Sequence, residues 1–122
     1  MNPIEKRKFA RIPVSVPISC VSIDSEGAPL NFNMGVVKNV SQNGIAIETL
    51  CQLNSDRLLL SFVNTDHKTL EIQGKVMRVS DMGSGRCKVG VLLLGTHQEN
   101  IVFVKHLVRF YHYTKKVSST LN

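Results

Sequence analysis

The chain has 122 residues, 43% of them hydrophobic, which suffices for one domain around a single core and is too short for two of ordinary size. A formal charge of +6 points to an anionic partner, whether nucleic acid, nucleotide or anionic membrane surface, without choosing among them. No apolar run exceeds the four residues of Val91-Leu92-Leu93-Leu94, far too few to span a bilayer, and the charged first residues lack the apolar centre of a signal peptide. Cys20, Cys51 and Cys87 are odd in number and widely spaced, with no CxxC pair. That usage suggests a reducing, cytoplasmic setting, with Cys51 expected as a small buried thiol.

Residues 1–11 are polar and basic, carrying Lys6, Arg7, Lys8 and Arg11. Pro13 disfavours helix at Ile12, so this segment is expected as a flexible arm on an extended link. An antiparallel β-barrel is expected over residues 12–96. Its first strand alternates Val14, Val16, Ile18 and Cys20 with Ser15, Pro17 and Ser19, the period of a half-buried strand, and the two prolines put it near an edge. Turn chemistry over Asp24–Pro29 leads to a second strand over about Asn33–Val40 and a third over Ile45–Leu50. Asn43-Gly44 between them matches the dipeptide favoured where a tight hairpin needs positive φ. Strands over Arg57–Val63, Leu70–Val79 and Cys87–Leu94 follow, separated by Asn64–His67 and by Met82–Gly85. Six short strands with small turns and no helix among them favour a barrel over an α/β sheet.

The pattern then changes. Ile101, Val104, Leu107, Val108 and Tyr111 recur at spacings of three and four, which predicts a helix over residues 97–114 with Lys105, Arg109 and His112 facing solvent. Residues 115–122 have little to bury and are expected as a frayed tail.

Two motifs carry the functional reading. Arg7 and Arg11 would stand roughly 13 Å apart on an extended arm, close enough for two guanidinium forks to hold one ligand of dinucleotide size. A guanidinium can meet guanine at O6 and N7, pair with phosphate or stack on a base. Asn39 and Ser41, two apart on a strand, are expected on one face beside a sharp turn at Gly44, offering donors and acceptors to the amide-like edge of guanine. Alone, the first motif describes any solvated charge run and the second any good hairpin.

Arg-x-x-x-Arg, a strand, then Asn-x-Ser-x-x-Gly at the end of the next strand resembles the PilZ domain family. The likeness extends over roughly residues 5 to 113, through Gly74-Lys75-Val76-Met77-Arg78, Val89-Gly90-Val91 and the closing helix. It implies a six-stranded antiparallel barrel of split-barrel type and cyclic di-GMP as ligand. Arg7 and Arg11 would hold guanine and phosphate, and Lys8, where many members carry arginine, would add a phosphate contact. Asn39 and Ser41 would contact guanine, Gly44 would shape the turn, and Arg78 would be a secondary contact. Ligand-driven ordering of the arm would change a surface read by an effector protein, in the family typically for motility, pilus, exopolysaccharide or virulence control.

Other chemistries are disfavoured. His67, His97, His106 and His112 lack metal spacing, the carboxylates form no acid–base pair, and nothing marks a nucleophile, so neither an enzyme nor a metal site is expected. A single-stranded nucleic-acid binder would need aromatic stacking residues, and only Phe32 and Phe62 lie on strands. The remaining alternative is a nucleotide-free protein-interaction adaptor of the same fold.

Overall fold

Alternation builds the first strand: in β1 (Ile12–Ile23), Val14, Val16, Ile18 and Cys20 all point inward and are buried, while Pro13, Ser15 and Pro17 face solvent. This is seen in a computed structural model that describes residues 11–121, with side chains through Val117. The expected arm therefore lies outside the described residues except for Arg11.

β1 is followed by β2 (Pro29–Val40), β3 (Gly44–Leu50), β4 (Arg57–Val63), β5 (Thr69–Gly83), β6 (Arg86–Leu93) and one helix, α1 (His97–Leu121). The strands close into an antiparallel barrel in the order β1-β2-β3-β6-β5-β4. Closure is partial along β1, because β4 pairs only with Ser19–Ser22. The half of β1 that carries Pro13 and Pro17 thus has no β4 ladder to interrupt, which is where a strand tolerates a missing N–H.

Inside the barrel, Val16, Ile18, Val37, Val40, Ile47, Leu58, Leu60 and Val89 are almost wholly removed from water. The helix covers part of this core. Phe103 and Leu107 are its most buried apolar residues, and Phe62 of β4 meets Phe103 and Phe110 edge-on at 5.4 and 6.1 Å. The inward stripe is thus centred about one residue from the expected Ile101–Val104 line, because Phe62 draws Phe103 inward. Lys105, Arg109 and His112 face solvent as expected.

Thr96 and Glu99 form a capping box at the start of α1: Glu99 N donates to Thr96 Oγ1 (3.1 Å) and Thr96 N to Glu99 Oε1 (2.7 Å). At its other end the helix runs on to Leu121 rather than ending at residue 114. Neither glycine nor proline interrupts that stretch, Thr114 Oγ1 donates to the Tyr111 carbonyl (3.0 Å), and the Lys115 ammonium sits 5.7 Å from the centre of the Tyr111 ring. No helix among the described residues is long and apolar enough to cross a membrane.

Two local expectations are corrected. The turn before β3 has no positive φ at Asn43 or Gly44; the left-handed conformation appears instead at Gly27, His67, Gly83, Ser84 and Gly85. Gly44 is required for a different reason, since a Cβ there would lie 3.0 Å from the Val91 carbonyl oxygen of β6. Nor is Cys51 a buried thiol: it is exposed and disulfide-bonded to Cys87, with the two Cα atoms 5.2 Å apart. The antiparallel register brings them together, as Thr49 faces Cys87 and Cys51 N donates to the Gly85 carbonyl (3.0 Å). Cys20 is the free thiol, and burial pushes its pKa up to about 12.

Candidate functional site

The outer surface of β2, β3, β6 and β5 carries a transverse row of four residues set by the strand register. Asn39 of β2 pairs with Ala46 of β3, Ala46 with Gly90 of β6, and Gly90 with Arg78 of β5. Small residues in the middle and long polar ones at the ends give the row a floor with two walls. Gly44 pairs with Leu92 on one side of it, and Lys88 faces Ser80 on the other. Arg11 stands at the open end of β1, next to Ile12, whose partner is Val40.

These groups line one cleft of about 560 Å³, which also takes in Ser41, Asn43, Met77 and Ser80. That volume lies in the ordinary range of small-molecule sites. Its charge is one-sided: Arg11, Arg78 and Lys88 line it together with no carboxylate, so the cleft favours an anion. Arg11, Asn39, Ser41, Gly44 and Arg78 are thus gathered from three separate stretches of the chain, whereas Arg7 and Lys8 lie outside the described residues.

Hydrogen bonds fix the Ser41–Gly44 corner. Ser41 N and Oγ both donate to the Gly44 carbonyl, at 2.8 and 3.2 Å, and Leu93 N donates to the Asn43 carbonyl at 2.9 Å. Asn39 and Ser41 do not share a face through simple strand alternation, because a register irregularity falls between Val37 and Asn39 and β2 ends at Val40. The irregularity turns Asn39 toward the cleft. The Ser41 hydroxyl already donates its proton within the turn, so toward the cleft it offers acceptor lone pairs.

Residue types alone did not single out Lys88, Ser80 or the Ala46–Gly90 floor. Lys88 and Ser80 look like ordinary solvent-facing strand positions. What places them is the cross-strand register, for which the only linear hint is that Lys88 and Gly90, two apart on one strand, share a face.

A second cavity of about 530 Å³ runs between the start of α1 and the β4–β5 pair. It is lined by Leu59, Leu70, Ile72, Leu94, Val102 and Phe103, with Glu71 and Glu99 and no Lys or Arg. Its sign and polarity are wrong for a phosphodiester. Phe62 is buried, which leaves Phe32 as the exposed strand aromatic, and Phe32 is not part of the cleft. Among the described residues, no group of three or more His, Cys, Asp or Glu comes together to hold a metal.

The fold has close relatives in shape among solved structures. The PilZ domain of YcgR from Escherichia coli, solved with c-di-GMP, superposes with a TM-score of 0.60 at 9% identity, covering 93% of this chain and 98% of that one. The PilZ domain of CeSA from a cellulose-synthesizing bacterium gives 0.54 at 18% identity, covering 87% of this chain and 98% of that one. MotI/DgrA, the inhibitor of motility of Bacillus subtilis, gives 0.57 at 19% identity over 89% of this chain, which spans only 55% of MotI. At these identities the likeness speaks for the fold alone. None of the curated proteins matches the chain. The PilZ domain model matches residues 5–112, nearly the whole chain, and with the closed six-stranded barrel and its C-terminal helix this places the protein in the PilZ domain family.

Proposed function

We propose that this chain is a receptor for cyclic di-GMP and that the outer-face cleft is where the ligand sits. The observation that carries the reading is the convergence of Arg11, Asn39, Ser41, Gly44 and Arg78 in one cationic cleft free of carboxylates. Such a site suits a ligand with two phosphodiesters and two hydrogen-bonding bases.

In this reading Arg7 and Arg11 close on the ligand from the N-terminal side, pairing with phosphate and with the O6/N7 edge of guanine, and Lys8 adds charge toward a phosphate. Asn39 supplies both a donor and an acceptor to a guanine, Ser41 accepts from it, and Gly44 keeps the corner close to β6. Arg78 flanks the opposite wall. No bond in the ligand is made or broken, so the protein acts as a receptor rather than an enzyme. Its output is the altered surface that residues 1–11 present once held against the barrel, read by an effector protein.

Titration calorimetry with cyclic di-GMP tests this, with the linear dinucleotide as control. Saturable binding at micromolar or lower concentration, weakened in Arg11→Ala by about tenfold to a hundredfold as expected for a lost charged hydrogen bond, supports the receptor. Absence of heat at high ligand concentration overturns it and leaves the nucleotide-free adaptor as the better account.

A further inference from the structure

β5 carries a second feature, a free backbone edge, on a stretch that shares Met77, Arg78 and Ser80 with the cleft. The strand's first half pairs with β4, Thr69–Lys75 facing Val63–Arg57, and β6 joins on the other side from Gly74 onward. That ladder ends where the Val76 amide donates to the Asp56 carbonyl (2.7 Å). From Met77 to Gly83 the strand still pairs with β6, but among the described residues nothing pairs with its other edge. All seven residues there are exposed, including Met77, Val79 and Met82, each with half or more of its surface in water. The register is irregular between Val76 and Arg78 and between Asp81 and Gly83, and regular over Arg78–Asp81. A regularly paired template about 13 Å long therefore lies between two irregularities.

We infer that this edge is a docking site for an extended, acidic segment of another protein, which adds to β5 as a further strand. An unpaired edge presents outward N–H and C=O groups that only another extended backbone satisfies fully. Charge selects the occupant. Around the template, Arg57, Lys75, Arg78, Arg86 and Lys88 outnumber the carboxylates, which are Asp56 at the end of the β4 ladder, Asp81 in the hairpin and Glu48 across β6. Asp81 is further engaged by the Gly83 amide (2.7 Å). A second copy of this edge would bring the same positive charge. Residues 1–10, with Lys6, Arg7 and Lys8 against Glu5, would do so as well. A segment alternating acidic and apolar residues meets the cations with one set of side chains and covers Val79 with the other. Arg78 and Lys88 also line the cleft, but the unpaired edge is there whether or not the cleft binds a nucleotide.

The test is amide-resolved NMR of the labelled full chain, titrated with a short capped peptide of alternating Glu and Val. Two control peptides replace Glu by Lys or methylate alternate backbone nitrogens. The expected result is saturable shifts and slowed amide exchange confined to Met77–Gly83, and binding lost on N-methylation. Val79→Glu, an exposed substitution whose fold is checked by circular dichroism, should weaken the Glu/Val peptide by about tenfold or more through like-charge repulsion. Equal binding of the Lys peptide, shifts confined to the α1–β4–β5 groove, displacement of residues 1–10 from the edge, or self-association through β5 in sedimentation would each overturn the proposal.

Discussion

The two halves of β5 belong to one continuous strand and end in opposite environments. In Thr69–Val76, Ile72 and Gly74 are buried, and α1 shares a groove with Leu70 and Ile72. In Met77–Gly83 every side chain is exposed, although Met77, Val79 and Met82 are as apolar as their counterparts upstream. The difference comes from neighbours rather than composition. β4 begins at Arg57, opposite Lys75, and beyond that point, among the described residues, β5 pairs with β6 alone. A side chain's hydrophobicity creates a demand for burial, and only the presence of a partner element meets it. One half of the strand therefore serves the core, and the other stays open to solvent.

The comparison can be broken from either side. The largest effect is expected at Gly90, opposite Arg78: a Cβ there meets only the Arg78 Cβ at 3.7 Å, an ordinary contact. Gly90→Leu should keep the fold by circular dichroism and abolish cyclic di-GMP binding in calorimetry, because its side chain fills the cleft floor. Next, Ile72→Ala should lose about 2–5 kcal/mol of unfolding free energy in a denaturant titration. Met77→Ala, five residues on, should change it by no more than about 0.5 kcal/mol. If the two lost similar stability, the division of β5 would be wrong. Arg78→Ala should leave stability unchanged and weaken cyclic di-GMP by about tenfold, as expected of a flanking contact. Smallest, Thr96→Ala removes the N-cap of the helix that packs on the first half, and should cost about 1 kcal/mol of stability with no change in ligand affinity.

Much of the barrel was legible because its strands obey a strict period. β1 alternates without exception from Val14 to Cys20, and such a pattern fits only a half-buried strand. Where the reading slipped, a non-local contact had intervened. The Asn-Gly dipeptide before β3 has the residues of a left-handed turn, yet Gly44 keeps negative φ and is needed for its approach to β6. The centre of the helix stripe moved toward Phe103 because Phe62, some forty residues earlier, supplies an aromatic partner. Cys51 and Cys87 looked unrelated at a separation of 36 residues and become neighbours through the pairing of β3 with β6.

The candidate site shows the same limit. Arg11, Asn39, Ser41 and Gly44 were expected from motif and spacing, and Arg78 from the family resemblance; the cleft they line is the site proposed above. Lys88, Ser80 and the Ala46–Gly90 floor belong to no pattern along the chain and exist as a site only in cross-strand register.

Sequence by itself determined the strand and helix types and the polar corner at Ser41–Gly44, which depend on residues a few positions apart, and the basic balance and the kinship with PilZ domains, which are read along the whole chain without its pairing. Tertiary structure alone decided which strand faces which, that Arg78 and Lys88 share a carboxylate-free cleft with Asn39, and that β5 runs past its β4 partner. Those outcomes follow from barrel closure, where the length and register of each strand set which groups meet and which edges stay open.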